Sequence, residues 1–421
     1  MRALPEAVGR RRRWRGTAGE VVGEPTHLFG QHRRSGRSPG PITLGRDQSN
    51  SSVFYGDLFV LKIYRRLEEG RTPEFELGLY LTEKAGFKNT PPLAGALEYR
   101  PESGEPITLG VLQGFVPNQG DAWQYTLNFL SHFFEEALAT APEVELPPFK
   151  VARLLDLAGG PIPETAQQLM GSYLDSAWLL GRRTAELHLA LGAAGSDLPD
   201  FAPEGFTPFY QRAAYQSFRN LTAQVLGLLR KRADDLPEEV RPLGQAVLSR
   251  EGAILGAFGR FRDARLTVGR IRVHGDYHLG QVLYTGNDFV IADFEGEPAR
   301  GLWERRLKQP ALRDVAGMLR SFHYAAEVAA REAAARGLGG PSALGYWAEF
   351  WELWASALFL RGYFEAARPP VVVPESRAEA ELLLEVYLLE KAVYELGYEL
   401  NNRPHWAPIP LRGILKILSV A

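Results

Sequence analysis

The sequence predicts an α+β fold made of two lobes, a small β-rich lobe followed by a larger lobe that is mostly α-helical. From about residue 41 to 118, runs of β-branched and aromatic residues are separated by turn-forming residues, which is typical of strands. From about residue 119 to 421 the apolar residues recur mainly at helical spacing, although residues 271–298 contain a strand-rich stretch. A chain of 421 residues is long enough for two such lobes.

Composition and charge exclude several classes of protein. The net charge of -2 argues against nucleic acid as the main partner, and the absence of cysteine excludes disulfides and thiolate-bound metals. No apolar run approaches the roughly 20 residues of a membrane span, and no apolar segment follows the basic N-terminus as it would in a secretory signal. We therefore expect a soluble protein of the cytoplasm with no nucleic-acid partner and no membrane segment.

Residues 1–40 differ in composition from the rest of the chain. They are rich in Arg, Gly and Pro and include the run Arg10–Arg13. A basic arm that takes part in an interface is one interpretation. We favour the other, a solvated or loosely packed leader, because charge runs of this kind are usually hydrated.

The small lobe, at 41–118, is expected to contain several strands and one helix. Gly56-Asp57 separates two strand-like runs, which predicts a hairpin from Val53 to Tyr64. A helix is expected to begin at Pro73, with Thr72 as its N-cap, and to end at Gly86. Two further strands are expected at Leu93–Tyr99 and Ile107–Phe115.

The large lobe, at 119–421, is expected to be built from long helices. The apolar spacing predicts helices near 121–139, 166–193, 207–231, 237–262, 311–335, 342–366, 376–400 and 409–418. The proline-rich stretch Ala141–Pro163 is expected to be an irregular connection.

The strand-rich stretch carries most of the candidate chemistry. Gln281 precedes a strand, turn and strand at 282–292, and Asp293 follows them, so the two side chains are expected to be neighbours at the open end of a hairpin. One carboxylate and one amide oxygen suit Mg²⁺, which takes few protein ligands. Asp276 then remains available to orient a hydroxyl group and accept its proton. Two histidines are expected to fix this loop through backbone hydrogen bonds rather than act as bases or metal ligands: His274 and His278.

These motifs resemble a known family. His274-Gly275-Asp276-x-His278, the Gln281 amide and Asp293-Phe294-Glu295 are similar to the aminoglycoside phosphotransferase-like branch of the protein-kinase fold. More narrowly, Gln281 together with Glu295-Gly296-Glu297-Pro298 resembles bacterial maltokinases. The resemblance implies a bilobal protein-kinase-like fold, ATP as co-substrate, Mg²⁺, and phosphorylation of maltose at its anomeric hydroxyl. It also implies a role in making α-glucan or glycogen from trehalose, and a trehalose synthase as a possible partner or fusion.

A kinase of this type needs a lysine in the small lobe that is paired with a helix carboxylate. Lys62 lies in the otherwise apolar run Phe59–Tyr64 and therefore needs a partner or a ligand. Glu76 shares a helix face with Leu79 and Tyr80, and we expect it to be that partner. The alternative is that Lys62 extends to solvent and that Glu76 only complements the helix dipole.

Two segments of the small lobe are candidates for contacts with ATP. Small polar residues between its first strands would present N–H and hydroxyl groups to phosphate oxygens, unless they form an ordinary polar turn: Gln48, Ser49, Asn50, Ser51 and Ser52. The segment where the lobes join would contact adenine, unless it is a plain linker strand: Gln113, Phe115 and Val116.

The acceptor is expected to contact the last part of the large lobe. Lys391 and Tyr394 lie on one helix face, and a segment rich in amide, basic and aromatic residues follows at 401–406. These are the groups that recognise sugars, although a core helix would show the same spacing. The resemblance to maltokinases implies sugar contacts from Lys391, Tyr394 and Arg403, with Asp276 at the reacting hydroxyl.

An ATP-dependent maltokinase is thus the favoured function. A kinase of the same fold that acts on an aminosugar, choline or a methylthio-sugar is the first alternative, but the mixture of Lys, Arg and Glu near 391–406 favours a neutral sugar. The second alternative is a non-catalytic nucleotide-binding module, against which Lys62, Asp276 and Asp293 argue. Maltokinases usually carry a longer N-terminal cap, so residues 1–40 are either a leader or the remnant of a cap.

Overall fold

The computed structural model describes residues 4–34, 42–46, 50–140, 146 and 149–418. The chain forms two compact units. The first contains Met1–Asp121, His274–Asp276 and Gln281–Leu307, and the second contains Ala122–Val273, Tyr277–Gly280 and Lys308–Ala421. The segment after Gln281, which we assigned to the large lobe, therefore packs with the β-rich unit.

The elements follow one another in chain order. The strands are β1 (Arg13–Arg15), β2 (Gly19–Pro25), β3 (Ile42–Arg46), β4 (Asn50–Tyr55), β5 (Phe59–Tyr64), β6 (Leu93–Pro101), β7 (Ile107–Gly114), β8 (Val282–Tyr284) and β9 (Phe289–Ile291). The helices are α1 (Leu4–Gly9), α2 (His27–Arg34), α3 (Pro73–Tyr80), α4 (Ala122–Ala137), α5 (Val151–Gly159), α6 (Glu164–Met170), α7 (Ser172–Gly192), α8 (Pro208–Lys231), α9 (Arg241–Ser249), α10 (Glu251–Asp263), α11 (Leu302–Arg305), α12 (Leu312–Ala335), α13 (Pro341–Ala366), α14 (Arg377–Asn402) and α15 (Pro408–Leu418).

The first unit is organised around a seven-stranded antiparallel sheet with the order β1-β2-β6-β7-β5-β4-β3. The hairpin β4–β5 turns at Gly56, which has a positive φ of 59°. Its apolar side chains enter a core with those of neighbouring strands, including the fully buried Leu61 and Leu112. The predicted hairpin is confirmed, and its pairing places Ser52 opposite Lys62.

Helix α3 begins and ends where its sequence indicates. The Thr72 hydroxyl accepts a hydrogen bond from the N–H of Phe75, 3.4 Å away, and Pro73 takes the first helical position. The helix continues into a π-helical turn, and Gly86 ends it with a left-handed φ of 63°. The start and the end predicted for this helix are both confirmed.

The expectation of a solvated leader is wrong for residues 4–34. Strand β2 pairs with β6 along its whole length, Val8 and Val22 are buried, and the ring of Phe29 stacks on Phe59 with centroids 5.5 Å apart. Few apolar residues separate the arginines, but several of them, including Val8, Leu28 and Phe29, pack in the core cluster with residues of the sheet. Whether this segment is the remnant of a cap stays a prediction.

The second unit is helical, and α7 packs against α13 through glycines. A Cβ atom on Gly181 would lie 1.9 Å from the carbonyl oxygen of Phe359, and one on Gly362 would lie 1.9 Å from that of Trp178. Only glycine allows the two backbones to approach this closely. Within the described ranges, no helix has the length and apolar character needed to cross a membrane.

Most of the predicted helices are present, with three differences. The helix predicted at 166–193 is interrupted at Gly171, where φ is 43°, and the one predicted at 237–262 is divided into α9 and α10 at Arg250. The connection at Ala141–Pro163 contains α5, whose nine residues are flanked by the prolines that suggested an irregular segment.

We expect Gly362→Ala to lower the free energy of unfolding by about 3 kcal/mol, because the new methyl group would clash with a helix backbone that cannot move alone. Gly345→Ala on the same helix is the matched control, since a Cβ atom there meets nothing within 4 Å. That control should be neutral or stabilising by about 0.5–1 kcal/mol. Urea unfolding followed by circular dichroism measures both, and equal effects would contradict the close approach.

Candidate active site

The centre of the candidate site is the ammonium group of Lys62 in the first unit. Lys62 is only 7% exposed, and its Nζ atom contacts three carboxylates: Glu74 of helix α3, and Asp293 and Glu295 of the segment after β9. The Nζ–Oε2 distance to Glu74 is 3.1 Å. Burying an ammonium group costs free energy unless the charge is paired. Lys62 therefore needs these carboxylates in order to be buried.

The helix partner of Lys62 is Glu74, and the prediction of Glu76 is wrong. Glu74 is 1% exposed and also accepts hydrogen bonds from Tyr64 at 2.8 Å and Gln113 at 3.1 Å. Glu76 pairs instead with Arg306 at 2.7 Å. Two residues along an α-helix correspond to a rotation of about 200°, so the two carboxylates point to different sides of α3.

The charges in this cluster shift the protonation equilibria of its members. Burial acts to lower the pKa of Lys62, but Glu74, Asp293 and Glu295 raise it well above its usual value. Burial acts to raise the pKa of Asp293, but Lys62 and other donors hold it below its usual range. For Glu295, burial together with Glu74 and Asp293 outweighs Lys62 and raises the pKa to about 7.

The hairpin β8–β9 brings Gln281 and Asp293 together as predicted. Val282 is paired with Ile291, and the N–H of Ala292 donates to the carbonyl of Gln281 at 2.9 Å. The Gln281 side chain hydrogen-bonds Asp293 and contributes to lowering its pKa. Asp293 has a left-handed φ of 64°, a conformation that a non-glycine residue adopts at an energetic cost.

The oxygen ligands in this cluster fit a divalent metal such as Mg²⁺. Carboxylate oxygens of Glu74, Asp293 and Glu295 lie within 4.8 Å of one another, and the Gln281 amide adjoins Asp293. Hard oxygen ligands with excess negative charge are what Mg²⁺ requires. Asp293 and Gln281, the expected ligands, belong to this set, and Glu295 adds a carboxylate that we did not predict.

The loop that carries Asp276 is fixed by its histidines. His274 is 1% exposed, its Nε2 lies 2.9 Å from the carbonyl oxygen of Ala292, and its ring packs on Phe294 at 4.9 Å. The Nδ1 atom of His278 accepts a hydrogen bond from the N–H of Gly280 at 3.1 Å. Asp276 itself is half-buried. Both histidines thus have the backbone contacts expected of residues that fix the loop.

The expected phosphate-contacting residues are only partly described. Gln48 and Ser49 lie outside the described residues. The side-chain amide of Asn50 donates to Glu295, and the Ser51 hydroxyl accepts from Nε of Arg65 at 3.3 Å. Ser52 is paired with Lys62 across the sheet. Asn50 and Ser51 are therefore engaged within the protein.

The segment expected to contact adenine has a defined backbone pattern. The N–H of Gly114 donates to Pro92 at 2.8 Å and that of Phe115 donates to Leu58 at 2.9 Å. The Gln113 side chain supports Glu74, as described above. The carbonyl oxygen of Val116 accepts a hydrogen bond from the side-chain amide of Asn118 at 2.8 Å. Contact of this segment with adenine stays a prediction.

The expected sugar-contacting residues lie in the second unit. Lys391 Nζ lies 5.1 Å from the ring centroid of Tyr394. Arg403 donates to Glu399 at 2.9 and 2.7 Å and stacks over Trp406 at 4.5 Å. Arg403 and Glu399 are thus already paired with each other, and burial raises the pKa of Glu399.

Sequence comparison finds relatives of moderate similarity. No protein-family model matches the chain. The glucosamine kinase of Mycolicibacterium smegmatis (strain ATCC 700084 / mc(2)155) is 27% identical over 305 residues, which cover 71% of this chain and 62% of that protein. The glucosamine kinase of Streptacidiphilus jiangxiensis is 24% identical over 423 residues, which cover 94% of this chain and 81% of that protein. The chain thus spans less than two thirds of the first relative.

Solved structures of glucosamine kinase have the same fold as this chain. Crystal form A matches with a TM-score of 0.64 and 21% identity over 98% of this chain and 80% of that chain. The complex with glucosamine, ADP and inorganic phosphate matches with a TM-score of 0.60 and 20% identity over 94% and 86%. Together with the sheet and helices described above, these matches confirm the predicted α+β fold class.

We expect Glu74→Ala to destabilise the protein by about 2–3 kcal/mol, because it removes a buried partner of Lys62 and the acceptor of two further hydrogen bonds. Glu76→Ala removes one partly exposed ion pair and should cost about 1 kcal/mol or less. Urea unfolding of the two variants distinguishes these roles. An equal or larger cost for Glu76→Ala would contradict the assignment of Glu74.

Proposed function

We propose that the protein is an ATP-dependent kinase that phosphorylates a hydroxyl group of a sugar. The observation that carries this proposal is the Lys62–Glu74 pair beside Asp293 and Gln281. A buried lysine held by a helix carboxylate, next to an acidic metal-binding motif, is the arrangement that phosphoryl transfer from ATP uses. The fold shared with glucosamine kinases supports the same conclusion.

Each residue of the cluster would have a separate role. Lys62 would bind phosphate oxygens of ATP, and Asp293 and Gln281 would hold Mg²⁺, which neutralises phosphate charge when it is bound. The sugar oxygen forms a bond to the γ-phosphorus while the bond to the bridging oxygen breaks and ADP leaves. Asp276 would orient that hydroxyl and accept its proton. Since the transition state is loose, positioning and charge compensation supply most of the rate enhancement.

Glucosamine is the acceptor that we propose first. Both sequence relatives described above are glucosamine kinases, and one of the matching structures contains glucosamine. An aminosugar carries a positive charge and requires a carboxylate. Glu395 and Glu399 are the acidic residues near the expected sugar contacts, although each is paired with an arginine in the structure.

Maltose is the second candidate, because a specific set of residues favours it. Gln281, Glu295-Gly296-Glu297-Pro298 and the 391–406 segment resemble maltokinases, and the paired charges around Arg403 suit a neutral sugar. With maltose as acceptor, the product would be maltose 1-phosphate. A trehalose synthase partner and a role in glycogen synthesis depend on this second candidate and stay predictions.

A phosphorylation screen with Mg-ATP tests the proposal. Glucosamine, maltose, glucose, choline and kanamycin would be compared by ADP release and by phosphorus NMR of the products. We expect the highest kcat/KM with glucosamine. Turnover of maltose alone would select the second candidate, whereas ATP binding with no phosphorylated acceptor would overturn the kinase proposal in favour of a non-catalytic nucleotide-binding module.

We expect Asp276→Asn to reduce kcat by at least about 100-fold, because the amide cannot accept the proton of the hydroxyl group. Binding of Mg-ATP should change by less than about threefold, since Asp276 is not assigned to the nucleotide. Single-turnover kinetics and calorimetry measure the two quantities. Turnover within about tenfold of the unaltered protein would refute the assignment of Asp276 as the base.

Arg403→Ala should raise the KM of the sugar by about tenfold, which corresponds to about 1.4 kcal/mol, while the KM of ATP stays nearly constant. The reason is that Arg403 orders Glu399 and Trp406 in the expected sugar segment. Arg377→Ala is the control, since it removes an exposed arginine from the start of α14, the helix that Arg403 follows. Equal increases in both KM values would contradict the placement of the sugar.

A further inference from the structure

Asn50 occupies an unusual position for a residue that we expected to contact phosphate oxygens. It is the first residue of β4 and is only 2% exposed. Its side-chain amide donates to the carboxylate of Glu295, and its carbonyl oxygen accepts from the guanidinium group of Arg65. The side-chain amide and the carbonyl oxygen of Asn50 are therefore both hydrogen-bonded, to two different residues.

Glu295 connects Asn50 directly to the candidate active site. It lies two residues after Asp293, and the same carboxylate oxygen that accepts from Asn50 also contacts Lys62. Because this oxygen also contacts the ammonium group of Lys62, the hydrogen bond from Asn50 belongs to a buried network that includes a charge. A substitution of Asn50 would therefore alter the contacts of Glu295, which lies beside both Lys62 and Asp293.

Arg65 forms the second contact that fixes Asn50. Besides the Asn50 carbonyl, it contacts the Ser51 hydroxyl at 3.3 Å. Arg65 follows β5, the strand that carries Lys62, and Asn50 is paired with Tyr64 at the end of that strand. The start of β4 is therefore tied to the lysine strand by Arg65 and to the metal-binding motif by Glu295.

We propose that Asn50 is a positioning residue rather than a phosphate ligand, and that it acts through Glu295 and Arg65. The three residues form what we call the Asn50 anchor. It holds the start of β4, at residues 50–52, in a fixed position relative to Lys62 and Asp293, so that this part of the strand and the candidate metal ligands keep their spacing. The inference deepens the proposed kinase function and rests on it for its effect on nucleotide binding.

A double-mutant cycle tests whether Asn50 acts through Glu295. The affinity for Mg-ATP is measured by calorimetry without any acceptor for the unaltered protein, Asn50→Ala, Glu295→Ala and the double variant. We expect Asn50→Ala to raise the Kd by about tenfold in the unaltered background, as loss of one hydrogen bond in a buried network would. In the Glu295→Ala background the same change should have less than about a twofold effect.

Hydrogen exchange of the free protein supplies a second measurement that does not depend on nucleotide. Asn50→Ala and Glu295→Ala should each accelerate exchange at the amides of 50–55, and the double variant should exchange no faster than the faster single variant. Asn287→Ala is the matched control, because it removes an exposed asparagine from the β8–β9 turn of the same unit. It should change neither the Kd nor the exchange at 50–55.

The outcomes separate this inference from the proposed function. If the unaltered protein does not bind Mg-ATP, the proposed function fails, whereas the exchange result still tests the anchor. If Mg-ATP binds and the effects of Asn50→Ala and Glu295→Ala multiply, Asn50 contacts the phosphates directly and the inference is overturned. Unchanged exchange in Asn50→Ala would overturn it as well.

Discussion

The buried ammonium group of Lys62 is the interaction on which the rest of the first unit depends. A charge in the middle of an apolar strand is tolerated only where carboxylates surround it. Glu74 comes from helix α3, and Asp293 and Glu295 follow the hairpin β8–β9. The need to pair one charge therefore explains why a helix and a segment more than two hundred residues away in sequence converge on strand β5.

The same constraint creates the chemistry of the site. Three carboxylates around one ammonium leave an excess of negative charge, which suits a divalent metal and the phosphates that it would bind. The left-handed backbone of Asp293 fits this interpretation, because strain of this kind persists where surrounding contacts enforce it. Supporting contacts from Tyr64 and Gln113 hold Glu74, so part of the cluster is rigid before any ligand binds.

In the second unit, ion pairs link helix α14 to its neighbours. Arg320 pairs with Glu395 and Arg403 with Glu399, so that the helices α12 and α14 and the segment after them are linked by ion pairs. These pairs provide partners for three charged groups of the expected sugar segment, Glu395, Glu399 and Arg403. An acceptor bound at the proposed sugar segment would therefore either replace such contacts or bind beside them.

The sequence alone determined the features that depend on near neighbours along the chain. Turn residues specified the hairpins β4–β5 and β8–β9, Thr72 and Gly86 specified the limits of α3 and its π-helical extension, and hairpin geometry placed Gln281 beside Asp293. Apolar periodicity located most of the long helices.

Only the tertiary structure decided that Glu74 rather than Glu76 faces Lys62, because the burial of a helix face depends on what packs against it. It also decided that residues 4–34 add strands to the sheet and that Asn50 meets Glu295, 245 positions later. Contacts of this range leave no local pattern, since they form only when distant segments are brought together to bury apolar surface and pair charges.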